Sequence, residues 1–224
     1  MEITAHSGCD GTPMNSMEFI KHALSLNVDA IEIDIRRNNQ GILVLTHDTS
    51  IEENLVTLYD AFIEIAKYDV AINCDIKEYN LEQDVVETAI KCGINLERII
   101  FSGSVTTYKK DKWPEFMKEV KVYINAEEIK KDFYYNLENN KLLEENTIRY
   151  VLEKCKDYGC NIININFRIC NDKFVDLCNE YDIKISAWTV TEEEDIKKIS
   201  SFNVFNITSR APLLVRKIID SCNN

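Results

Sequence analysis

Ala30-Ile31-Glu32-Ile33-Asp34-Ile35 is the stretch on which the fold turns. Side chains alternate across a strand, so Ile31, Ile33 and Ile35 share one face and Ala30, Glu32 and Asp34 share the other. Two carboxylates at i and i+2 in a β-branched strand are costly to bury unless something compensates them. A bound cation is the simplest compensation. An edge strand with a solvated face is the alternative, so the reading depends on whether the sheet has an edge.

The rest of the chain decides that. Strand-like runs recur at Glu2–His6, Ala30–Ile35, Val70–Asp75, Ile99–Ser102, Val120–Ala126, Asn161–Phe167, Ile183–Val190 and Val204–Thr208. Helix-like runs lie between them at Ser16–Leu26, Leu58–Lys67, Leu81–Cys92, Pro114–Glu119, Asn146–Tyr158, Asp172–Glu180, Glu192–Ser200 and Pro212–Ser221. Strand alternating with helix predicts a parallel sheet, and eight such units predict a closed (β/α)8 TIM barrel. A closed barrel has no edge, which favours the cation. No Pro/Gly-rich linker or charge run divides residues 1–224, so one α/β domain is expected. Residues 103–119 are polar, and Lys130 to Glu145 reads as a long connection or a loop over the barrel mouth.

The net charge is -12, which opposes nucleic acid and anionic lipid surfaces at long range. An anionic substrate would therefore need a local attraction, from a metal or a few placed cations. No run approaches the ~20 apolar residues of a membrane span, so no stable membrane insertion is expected. The N-terminal MEITAHSGCDG has neither a basic n-region nor an apolar h-region, which points to a cytoplasmic protein. The eight cysteines form no CxxC pair and are read as reduced and mostly buried.

Catalytic groups of such barrels project from the C-terminal strand ends. The first strand places Thr4 and His6 on one face. The third places Asn73, Asp75 and Lys77 on one face, so Asp75 can join Glu32 and Asp34 as an oxygen ligand while Lys77 reaches toward a phosphate. Gly41–Asp48 reads as a hairpin extension that hangs His47 over the mouth. Of the three histidines, His22 lies in the first helix and is read as structural or surface. Oxygen ligands point to Mg²⁺ or Ca²⁺. No His/Cys cluster has zinc-like spacing, and no P-loop, GxGxxG or GxSxG motif occurs.

Taken together these residues resemble the glycerophosphodiester phosphodiesterases, in which His-Arg-Gly, Pro-Glu-Asn-Thr, Glu-x-Asp and His-Asp follow in order. Here the order reads His6-Ser7-Gly8, Pro13-Met14-Asn15-Ser16, Glu32-Ile33-Asp34 and His47-Asp48. Asp75-Ile76-Lys77 stands where that family has Glu-x-Lys, Trp188-Thr189-Val190 matches its Trp-Thr-Val, and Ile207-Thr208-Ser209 with Pro212 loosely matches its last strand end. The resemblance implies a barrel of the PLC-like phosphodiesterase type that hydrolyses a small-molecule glycerophosphodiester to an alcohol and glycerol phosphate. It further implies that Glu32, Asp34 and Asp75 hold a divalent cation, Mg²⁺ or Ca²⁺. His6 and His47 would be the acid–base pair, with His6 taken as base and His47 as acid, an order the sequence leaves open. Lys77 would bind phosphate, Trp188 would line the substrate cleft, and Ser7 stands at the substrate-contacting position of the family's arginine.

Three departures alter the expectation. Ser7 removes a bidentate phosphate contact. Asp75 is one methylene shorter than glutamate. The stretch from His47 to Thr57 is too short for the family's inserted subdomain, which predicts a more open mouth. Two other readings stand beside the first. One is a phospholipase D-like barrel acting on lysophospholipid or sphingolipid head groups, with Trp113, Phe116, Phe133, Tyr134 and Tyr135 as an apolar rim. The other is a barrel that binds a phosphodiester without cleaving it.

Overall fold

The computed structural model describes residues 1–49, 54–135 and 143–222. The strands are β1 (Glu2–Ala5), β2 (Ala30–Arg37), β3 (Leu43–Leu45), β4 (Ala71–Ile76), β5 (Ile99–Gly103), β6 (Lys121–Val122), β7 (Ile124–Asn125), β8 (Ile162–Asn166), β9 (Lys184–Trp188) and β10 (Asn206–Ser209). Their order in the sheet is β6-β5-β4-β2-β1-β10-β9-β8-β7, with all neighbours parallel. The two ends of that order are consecutive in the chain, on either side of Tyr123. Tyr123 donates its amide to the Phe101 carbonyl at 2.9 Å. The sheet thus wraps into a nearly closed TIM barrel. The hairpin expected at Gly41–Asp48 is present: β3 runs antiparallel to the end of β2, pairing Ile35 with Leu45 and Arg37 with Leu43.

Around the barrel lie α1 (Met17–Ser25), α2 (Leu58–Ile65), α3 (Glu82–Lys91), α4 (Ala126–Ile129), α5 (Glu145–Asp157), α6 (Asp172–Glu180), α7 (Glu193–Ser201) and α8 (Pro212–Cys222). Side-chain caps start several of them: Ser16 accepts from the Phe19 amide, Thr57 from Asp60 and Asn171 from Phe174. The helix expected at Pro114–Glu119 is only a 3-10 turn, Glu115–Met117. Met117 is its one buried residue, too little apolar surface to hold a longer helix. The strand expected over Val120–Ala126 is interrupted at Tyr123 and stops at Asn125, where α4 begins. Part of the expected Lys130–Glu145 connection, 136–142, lies outside the described residues.

The strand alternation sorts the core into layers. Outward-facing Ile3, Ile31, Ile33, Ile72, Phe101, Ile163 and Ile207 pack under the helices. Inside the barrel, Ala30, Ile100, Tyr123 and Ile162 form a small apolar plug near the strand starts. Above it the interior turns polar. Thr4 Oγ1 donates to Asn206 Oδ1 at 2.8 Å, Asn206 Nδ2 donates to Ser186 Oγ at 2.9 Å, and Ser102 Oγ donates to Asn73 Oδ1 at 2.9 Å. These buried polar groups are paired with one another, as burial requires. The layer above, at the strand ends, carries the charged groups.

Candidate active site

Parallel register brings the carboxylates together. Glu32 lies alongside Asn73, and Asp34 alongside Asp75. Oxygen atoms of Glu32, Asp34 and Asp75 fall within 4.8 Å of one another. Glu32 and Asp34 are buried. Burial, followed by the charges of Asp34 and Asp75, pushes the Glu32 carboxyl well above its ordinary value. Burial likewise raises Asp75, although Lys77 opposes it. The Lys77 ammonium bridges the cluster at 2.9 Å from Asp34 Oδ1 and 2.7 Å from Asp75 Oδ2. Its own pKa is raised because these two charges outweigh the cost of burying it. One cation against three carboxylates leaves the cluster short of positive charge. Asp75 Oδ1 is buried with no hydrogen-bond partner.

Gly103 makes room for Asp75. It follows Ser102 on the neighbouring strand with φ of +77°, and a Cβ there would sit 2.1 Å from Asp75 Oδ1. Asn15 fixes Asp34 from the other side: its Nδ2 donates to Asp34 Oδ2 at 2.7 Å, and its Oδ1 accepts from the Asp34 amide at 3.0 Å.

Both histidines reach the same cavity, of about 530 Å³, which is also lined by Lys77, Trp188, Asn164, Glu127 and Glu128. His6 follows β1. Its Nδ1 lies 2.8 Å from the Ser7 carbonyl, which only accepts, so Nδ1 carries the proton. Nε2 then presents a lone pair, 3.6 Å from Glu32 Oε2. Arg210 Nε stands 3.5 Å from the same Nδ1. Two N–H groups facing each other do not form a hydrogen bond, so we read this contact as charge against ring. Burial above all, and Arg210 among the nearby charges, lower the His6 pKa from 6.5. His47 follows β3 and is exposed. Its backbone is anchored, the carbonyl accepting from Arg36 Nε at 2.9 Å. The Asp48 carboxylate, 3.0 Å from His47 Nδ1, holds the ring proton there and leaves Nε2 free.

Glu32, Asp34, Asp75, Lys77, His6, His47 and Trp188 therefore all line one cavity. Ser7 does not. It is fully buried, and its hydroxyl accepts from the Asn15 amide at 2.7 Å while its amide donates to Glu32 Oε2 at 3.3 Å. The aromatic residues considered for a lipid rim mostly face inward. Phe133 is buried, and Trp113, Phe116 and Tyr134 pack against the core. Tyr134 meets Trp188 edge-on at 6.2 Å, and so buttresses the cleft wall. Tyr135 is exposed. His22 pairs with Asp10 at 2.9 Å on the surface side of α1, as a structural or surface histidine does.

Sequence reading missed Asn15's hold on Asp34, Arg210 beside His6, and Asn164 on the cavity wall. Alternation along Ile163-Asn164-Ile165-Asn166 was a usable signal for Asn164. Arg210 had none, being 204 residues from His6.

The fold and site are those of a TIM barrel with an acidic centre and two histidines at its mouth. Comparison with known proteins is consistent with this. No family model matches the chain. It is 23% identical over 248 residues to a glycerophosphodiester phosphodiesterase of Caldanaerobacter subterraneus subsp. tengcongensis, covering 94% of each chain. Among solved structures, a glycerophosphodiester phosphodiesterase of Parabacteroides distasonis superposes with a TM-score of 0.74 at 15% identity, covering 100% of this chain and 98% of that one. A phosphodiesterase of Oleispira antarctica, solved with the product sn-glycerol-3-phosphate, superposes with a TM-score of 0.72 at 18% identity, over 98% of this chain and 97% of that one. The chain is thus similar, along almost its whole length, to glycerophosphodiester phosphodiesterases. No described helix is long and apolar enough to cross a membrane.

Proposed function

We propose that this protein is a phosphoric diester hydrolase that cleaves glycerophosphodiesters to an alcohol and glycerol phosphate. The observation that carries the reading is the meeting of Glu32, Asp34, Asp75, Lys77 and both histidines around one cavity. Glu32, Asp34 and Asp75 would hold a divalent cation, Mg²⁺ or Ca²⁺. The donor set fits: it is all oxygen, it is under-neutralised, and Asp75 Oδ1 lacks a partner. When bound, the cation would supply positive charge to the phosphoryl oxygens.

The remaining work falls to side chains. Lys77 places a second positive charge at the same oxygens, where charge develops in the transition state. His6, kept neutral by burial, takes the proton of the attacking oxygen on Nε2. That oxygen then bonds to phosphorus while the bond to the alcohol oxygen breaks. His47, acting as an imidazolium whose Nδ1–H is held by Asp48, gives its Nε2 proton to the leaving alkoxide. Trp188 forms a wall of the cleft. Ser7 acts at one remove, through Asn15, on Asp34. The stretch from His47 to Thr57 is too short for an inserted subdomain, so a single domain with a more open mouth is the proposal; 50–53 lie outside the described residues.

The test is hydrolysis of a chromogenic phosphodiester with and without Mg²⁺ or Ca²⁺, by the natural protein and by His6→Ala. Equal rates for the two proteins would sink the catalytic assignment, and no turnover above background by the natural protein would favour a barrel that binds without cleaving. Phosphorus NMR distinguishes attack by water from attack by a neighbouring substrate hydroxyl, since only the latter passes through a cyclic phosphate.

A further inference from the structure

The loop after β1 brings together a second group of donors that hydrolysis does not use. Donor atoms of Cys9 and Asp10 on that loop and of His22 on α1 lie within 4.8 Å of one another. We propose that Cys9, Asp10 and His22 form a separate site for a thiophilic divalent cation of the Zn²⁺ type. The donors are a sulfur, an imidazole nitrogen and a carboxylate oxygen, the mixture that selects zinc-like ions. The centre at Glu32, Asp34 and Asp75 is all oxygen and selects hard ions. Thiolate plus carboxylate also match the charge of one dication.

Geometry supports the assignment. Tetrahedral zinc holds its donors roughly 3.5 Å apart. His22 Nε2 and Asp10 Oδ2 stand at 2.9 Å, so a cation between them needs only a small separation. Cys9 is 0% exposed, and its thiol has no hydrogen-bond partner among the described residues. The loop that presents it is pinned by its backbone. Cys9 donates to the His6 carbonyl at 3.0 Å, Asp10 donates to the Arg210 carbonyl at 2.8 Å, and Thr12 Oγ1 donates to the Cys9 carbonyl at 2.7 Å. The His22 and Asp10 side chains are 35% and 29% exposed, which gives an ion a path in and leaves a coordination position for water. Burial and the Asp10 charge push the free thiol up to about 12, so it is protonated without metal. Binding breaks the S–H bond, forms a sulfur–metal bond and releases one proton to solvent. An ion here would clamp the loop that begins at His6 to α1.

Cobalt titration of the full chain tests this directly, with excess Mg²⁺ present to occupy the all-oxygen centre. Thiolate bound to Co²⁺ gives a near-ultraviolet charge-transfer band that oxygen ligands do not. The natural protein is expected to develop that band to saturation at one equivalent, and Zn²⁺ to abolish it by displacement. Cys9→Ser should remove the band, and His22→Gln should weaken Co²⁺ binding by about tenfold or more. If Cys9→Ser fails to fold, His22→Gln carries the test, because its side chain is part-exposed. Absence of the band in the natural protein, its persistence in Cys9→Ser, or unchanged Co²⁺ affinity in His22→Gln would each overturn the proposal. None of these readouts depends on hydrolysis.

Discussion

Replacing Lys77 with methionine probes the charge balance of the site most directly. The Lys77 ammonium lies 2.9 Å from Asp34 Oδ1 and 2.7 Å from Asp75 Oδ2, with side chains 17%, 3% and 15% exposed respectively. Removing one partner of a buried ion pair costs about 3–5 kcal/mol. The lower end applies here, because Glu32 and Asp75 already have raised pKa values and escape part of the cost by taking up protons. For a chain of this size, about 3 kcal/mol lowers Tm by roughly 6–12 °C. Lys77→Met should therefore melt that much lower than the natural protein at neutral pH in a chelator. The deficit should shrink as pH falls toward about 4, the unfolded carboxylate value. The sign follows from linkage: a carboxylate whose folded pKa is raised loses stability as pH rises above its unfolded pKa. Millimolar Mg²⁺ or Ca²⁺ should raise the Tm of Lys77→Met by more than that of the natural protein, since the ion no longer competes with the ammonium. Scanning calorimetry in chelator and in metal measures both effects. Equal melting of the two proteins in chelator, together with no larger response to metal, would refute the idea that these carboxylates need a cation.

Three further outcomes are expected. Asn15→Ala removes both hydrogen bonds that orient Asp34 and should weaken binding of the catalytic-site ion about 10–100-fold by calorimetric titration; unchanged affinity would remove Asn15 from the site. Because burial lowers His6 below 6.5, the acid limb of kcat/KM should lie below that pH; Arg210→Ala, which removes a charge that depresses His6, should move this acid limb upward, and an unmoved limb would separate the two residues. Gly103→Ala drives a methyl into Asp75 Oδ1 and into the Ile76 carbonyl oxygen, 2.3 Å away, and should both lower Tm and cut kcat at least about tenfold, whereas full activity with an unchanged Tm would mean that neither contact constrains the site.

The period of two along Ala30–Ile35 and Asn73–Lys77 placed Glu32, Asp34, Asp75 and Lys77 on inward faces, and the structure puts them on one cavity. Pro114–Glu119 reads as helix-like in isolation, yet only Met117 is buried behind it, and only a 3-10 turn forms. The aromatic run near Phe133 looked like a rim because sequence proximity suggests a patch. Tertiary packing instead buries Phe133 and turns Tyr134 onto Trp188.

The alternating strand and helix units, the inward carboxylates and the two histidines at strand ends are all readable from the chain alone, because they follow from the local periodicity of a pleated strand. Folding in three dimensions was needed to show that Asp34 stands beside Asp75, that Tyr123 marks the place where the barrel closes, and that Ser7 is buried behind Asn15. It also decided that Arg210 meets His6 and that Cys9, Asp10 and His22 converge. The reason is that closure sets neighbours by strand order and register, quantities that depend on residues far apart in the chain and leave no local mark.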